Sequence, residues 1–184
     1  MRRCILLIGL CSCAWAQENK QALETVGHIA SVMLDGDTCL QIQTPRSAKF
    51  ATLKDARDPW RAADNYDVHA AAFIQTKKTL IRLAHLCKET CDVNLWMPSA
   101  GQPGRVQIVI RNVHEISQFW KWGDMDQPAP EEMKRVLEKG EQVVVQGKPG
   151  MTSVLSPIRD SLGAVVALAE VVGQTAADPR ENVK

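Results

Sequence analysis

Two groups of residues in this sequence have the types and spacing for chemistry. The first is His85, Cys87 and Cys91. Cys87 and Cys91 stand at i and i+4, one turn apart if a helix runs through them. Two thiols and an imidazole can hold a soft metal such as copper(I) or zinc. The same thiols can instead pair in a disulfide, with each other or with Cys39. The spacing is not C-x-x-C, so the thioredoxin motif and the C-x-x-C-H haem site are both missing from the sequence. The second group is Trp96, Arg111, His114, Trp120, Trp122 and Asp124. Three indoles can wall an apolar pocket. Arg111 can fork onto a ligand carboxylate, and Asp124 can take a ligand amine. The plainer reading is that the tryptophans cover one end of a sheet and Arg111 faces water.

Catalytic patterns are sparse. His28, His69, His85 and His114 are far apart in sequence, and isolated histidines are more often structural than catalytic. There is no G-x-S-x-G elbow, no P-loop and no G-x-G-x-x-G. The expectation is a non-enzyme without a cofactor.

The elements that must position these residues follow from periodicity. Residues 18–22 read as a polar, mobile start. Residues 29–42 read as a β-hairpin around Asp35-Gly36, a tight-turn dipeptide. Residues 44–65 read as an irregular connection, with a short strand at 49–53. The longest helix is expected over 67–87, capped by Asp64 or Asp67, with Phe73, Leu80, Leu83, Ala84 and Cys87 as its inward stripe. Val93, Leu95 and Met97 alternate with Asn94 and Trp96 in one strand, and Val106, Ile108 and Ile110 mark a second. An aromatic loop over 114–128 follows. A short helix then carries both end signals: Pro130, Glu131 and Glu132 at its start, and Lys139 and Gly140 at its end. Three strands at 142–146, 151–158 and 164–172 close the order, joined by short turns that imply antiparallel neighbours. Residues 174–184 read as a disordered tail. The sum is an α+β fold: an antiparallel sheet of about five strands with a long N-terminal helix and a short helix packed on it, plus the N-terminal β-hairpin.

This order resembles the PAS-like sensor folds of the bacterial cell exterior, the Cache family in particular. Residues 131–172 carry the likeness. They hold the short helix ending in Gly140, a strand, then Ser153-Val154-Leu155-Ser156-Pro157-Ile158-Arg159-Asp160-Ser161-Leu162-Gly163-Ala164-Val165-Val166-Ala167-Leu168. The resemblance implies a PAS/Cache-like domain over 66–173 that holds a small organic ligand or docks on a membrane-bound signalling partner. It departs from the family in having no output module and no flanking membrane helices.

The chain starts with Met1-Arg2-Arg3, an apolar run over 4–10 and Ala14-Trp15-Ala16 before polar Gln17. That is the charged, apolar and A-x-A order of a signal peptide over 1–16. Leu10-Cys11-Ser12-Cys13 also resembles a lipobox, which makes a lipid anchor at Cys13 the competing reading. Of six cysteines, Cys39, Cys87 and Cys91 follow the leader. The net charge of +1, from 22 basic and 21 acidic residues, offers nothing to nucleic acid. No run is long enough to span a bilayer. The sequence thus reads as a secreted or periplasmic ligand-binding or sensory module. A periplasmic thiol- or copper-handling protein using His85, Cys87 and Cys91 is one alternative, and an envelope scaffold is another.

Overall fold

A computed structural model of the chain describes residues 4–45, 69–111, 126–148 and 150–175. Helix α1 spans Cys4–Met33 and is followed by the short α2, Gly36–Leu40. Helix α3 spans Ala71–Ala84. Strands β1 (Cys91–Pro98), β2 (Arg105–Ile110) and the short β3 (Asp126–Pro128) come next. Helix α4 (Glu131–Lys139) precedes β4 (Val143–Lys148), β5 (Met151–Arg159) and β6 (Val165–Gln174). The strands form one curled six-stranded sheet in the order β3-β2-β1-β6-β5-β4. Every neighbouring pair is antiparallel. The fold is therefore α+β, with one strand more than the five expected. The extra one is β3, whose Asp126, Gln127 and Pro128 pair with Gln107, Val106 and Arg105.

Residues 29–42 do not form a hairpin. Leu23, Val26 and Ala30 along α1, and Leu34 just past its end, are all buried and recur every three or four residues. The same stripe starts at the buried Asn19, so residues 18–22 are helix rather than a mobile start. Asp35-Gly36 serves as a helix start. The Asp35 carboxylate accepts from the backbone N–H groups of Asp37 and Thr38 and from the Thr38 hydroxyl, which caps α2. That hydroxyl above all, with the two N–H groups, holds the Asp35 carboxyl below its usual range, although partial burial opposes this. Gly36 allows the approach, since a Cβ there would stand 2.4 Å from the Arg159 carbonyl oxygen. The longest helix is consequently α1, at 30 residues, while α3 has 14. Ala70 caps α3 without a side-chain hydrogen bond. Asp64 and Asp67, proposed as its caps, and the strand at 49–53 lie outside the described residues.

Each sheet face carries its own core. Helix α1 lies on β5 and β6 so closely that a Cβ on Gly27 would come within 2.7 Å of Gln142 Nε2 and Ser156 Oγ. Gln142 Nε2 donates to the Glu24 carbonyl at 3.0 Å and to Ser156 Oγ at 2.9 Å, tying the helix to the sheet. This face buries Leu23, Val26, Leu80, Leu83, Val93, Leu95, Val154, Ile158, Ala169 and Val171. Burying each of the larger side chains is worth roughly 1.5–3 kcal/mol. Helix α4 covers part of the opposite face, packing Met133 and Val136 on Trp96, Val106, Ile108, Leu155 and Leu168. Its end signals work as read: Gly140 takes φ 65° and its N–H bonds the Val136 carbonyl. Strand β6 includes Gln174, and the buried Thr175 hydroxyl hydrogen-bonds Thr152, so the ordered chain continues to 175. The rest of the expected tail lies outside the described residues.

Candidate functional site

Strand alternation decides which residues of β1, β5 and β6 share the α4 face. In β1, Val93, Leu95 and Met97 join the core under α1, which turns Asp92, Asn94 and Trp96 to the other side. In β6, Ala169 and Val171 join the α1 core, which leaves Leu168, Glu170 and Val172 on the α4 face. In β5, Ser153 and Leu155 share that face, since Val154 and Ile158 face α1. The register then places Asn94 and Leu155 on either side of Glu170. Ser153 and Trp96 sit one step away, opposite Val172 and Leu168.

Glu170 is completely buried, as are Asp92, Asn94 and Ser153. Its Oε2 accepts from Asn94 Nδ2 at 3.1 Å and from Trp96 Nε1 at 2.9 Å. Its Oε1 accepts from Ser153 Oγ at 3.0 Å. The carboxylate therefore acts as an acceptor at both oxygens, which is the role of its ionised form. Taking such a group out of water costs several kcal/mol. Hydrogen bonds to a charged group return about 1.5–3 kcal/mol each, so three can offset that cost. The outcome is a polar half-face at Asp92, Asn94, Ser153 and Glu170 beside an apolar half-face under α4.

The residues expected to form a ligand site are distributed as follows. Trp96 is buried, with its ring among Val106, Ile108, Leu155 and Leu168 and its N–H on Glu170. It therefore belongs to both half-faces. Arg111 is half-buried and follows Ile110, which pairs with Leu95, so the register carries Arg111 alongside Asn94. His114, Trp120, Trp122 and Asp124 lie outside the described residues. The connection that holds them leaves the sheet at Arg111 and rejoins it at Asp126, opposite Gln107. Asp92, Asn94, Ser153 and Glu170 were not anticipated. The available signal was Glu170 itself, the one charge in the apolar stretch from Val165 to Val172.

The thiol group takes its disulfide form. Cys87 and Cys91 are joined, with Cα atoms 6.2 Å apart, and close the short loop between α3 and β1. Both sulfurs are engaged, so neither is available as a thiolate ligand beside His85, which is solvent-exposed. Among the described residues no three His, Cys, Asp or Glu side chains converge as a metal site. Cys39, the third disulfide candidate, is a buried free thiol. Burial foremost, then the Asp35 carboxylate, push its pKa up to about 12 against a lowering hydrogen bond with Thr76. No helix among the described residues is long and apolar enough to cross a membrane. No family model matches the chain, and no curated protein is detectably similar to it in sequence.

Proposed function

We propose that this chain is an exported small-ligand-binding module of PAS/Cache type, whose ligand sits on the polar half-face of the sheet. One observation carries the reading: a fully buried Glu170, held by Asn94, Trp96 and Ser153 at the centre of the sheet, in a stretch of β6 that is otherwise valine, leucine and alanine. A sheet that needed only stability is served as well by an apolar residue, because well-packed apolar replacements of buried ionic groups are often neutral or stabilising. A polar group placed among apolar walls is how binding sites fix ligand orientation. The PAS/Cache assignment draws its support from the order of strands and helices and from the pattern over 131–172.

Export rests on the leader sequence. The mass of the chain recovered from the envelope tests this. Cleavage after Ala16 or a diacylglycerol on Cys13 supports export, and an intact N-terminus in the cytoplasm refutes it.

Ligand binding is tested by thermal shift against panels of amines, amino acids, carboxylates and purines. Ligand at 100 times its Kd adds about 2.7 kcal/mol to stability. For a chain of this size that corresponds to a rise of roughly 5–10 °C in Tm. If no compound in any panel moves the Tm, the module is not a small-ligand receptor.

A further inference from the structure

We propose that Gln17, once it becomes the first residue of the exported chain, closes on itself to a pyroglutamyl end. The inference rests on the export reading above, with cleavage after Ala16, and adds a covalent modification to it. The α-amine nitrogen of Gln17 attacks the side-chain amide carbon, Cδ. A C–N bond forms, the Cδ–Nε2 bond breaks, and ammonia leaves with the proton that the amine gives up. The product is a five-membered lactam, and no oxidant, cofactor or second substrate is consumed. Amine and carbonyl belong to the same residue, so the step gains the rate advantage of proximity.

Three features of the structure favour it. First, Gln17 is exposed, while the fold grips α1 from the next residue onward. Lys88, in the loop closed by Cys87 and Cys91, donates to the Glu18 carboxylate. Asn19 is buried, and Leu23 lies so close to β6 that a Cβ on Gly173 would stand 3.1 Å from its Cδ2. The new end is therefore held at the surface. Second, α1 runs through the cleavage point. In such a helix the carbonyls of residues 13–16 accept from the N–H groups of residues 17–20, so cleavage takes those acceptors away. Gln17 loses its helical bond on the amino side, and its side chain is free to meet its own amine. Third, that amine becomes the first group of a helix, whose amino end carries partial positive charge. The charge disfavours the ammonium form and raises the share of neutral amine, which is the form that attacks. The lactam is uncharged and removes the repulsion, while Glu18 stays in the first turn, where a carboxylate is favoured.

The test is intact mass and Edman degradation of the full chain, expressed with its leader, recovered from the envelope and incubated at neutral pH. The expected result is a chain that starts at residue 17, is lighter by one ammonia, and is closed to Edman degradation. Pyroglutamyl peptidase should open it, and the first residue then read is Glu18. Gln17→Ala keeps the cleavage site and removes the amide, so that chain should keep its full mass and be open to degradation from the start. The peptidase step on the wild-type chain is a second readout that does not depend on the variant being processed. If the wild-type chain starts at Gln17 and keeps a free amine, or if Gln17→Ala loses ammonia as well, the cyclisation is wrong and export stands. A diacylglycerol on Cys13 has the same meaning, since Gln17 is then internal. An intact N-terminus in the cytoplasm removes both readings together.

Discussion

The indole N–H of Trp96 donates to Glu170 Oε2 at 2.9 Å, between neighbouring strands whose residues are 74 apart in sequence. Ser153 reaches the other oxygen of the same carboxylate from the strand on the far side. Glu170 thus links three strands, and the two donors should be energetically coupled although they do not touch. Trp96→Phe keeps a ring in the core and removes the donor. Its expected cost is about 1–3 kcal/mol, the penalty for a buried polar partner left unmade. Ser153→Ala should cost a similar amount. In urea denaturation the double variant should depart from additivity by about 0.5–3 kcal/mol. Strict additivity would mean that Glu170 does not relay between them.

The disulfide should stabilise modestly because its loop is short. Cys87 and Cys91 are four residues apart, and loop-closure entropy for so small a ring is worth about 2 kcal/mol. Cys87 is half-buried, whereas Cys91 is buried in the α1 core. Cys87→Ser should therefore lower stability by about that entropy, and Cys91→Ser by more, since it also places a hydroxyl in an apolar site. Thermal denaturation of both variants checks the order. Equal losses would mean that Cys91 contributes only its bond.

Cys39 makes stability fall at alkaline pH. Its thiol ionises near 9.0 when unfolded and at about 12 when folded. Below pH 9 it is protonated in both states, and its contribution is fully present. Between 9 and 12 only the unfolded chain releases the proton, so stability declines as pH rises. The slope approaches about 1.4 kcal/mol per pH unit. Urea midpoints measured from pH 8 to 10.5 should fall in wild type and fall less steeply in Cys39→Ala. Parallel slopes would show that the thiol is not desolvated.

The short helix and the last three strands were legible in the sequence because their signals are local. Pro130, Glu131 and Glu132 at one end and Gly140 at the other bound α4 without reference to the rest of the chain. Alternation in β1 and β2 likewise needs only neighbouring residues. The hairpin expected over residues 29–42 was misread because Asp35-Gly36 suits a hairpin turn and a helix start equally well. The packing of Leu23, Val26 and Ala30 on the sheet decides between them. The choice among disulfide partners was open in sequence, and the fold closed it by ending α3 near the start of β1 while burying Cys39 elsewhere.

What the sequence determined by itself is the run of elements from α3 onward, β3 excepted, since turn, cap and alternation signals act over a few residues. What only the tertiary structure decided is the polar centre. Glu170 on β6 meets Asn94 and Trp96 on β1 because the sheet order sets the first strand beside the last. That adjacency is fixed by the burial of both sheet faces at once, a sum over distant contacts that no local stretch of sequence encodes.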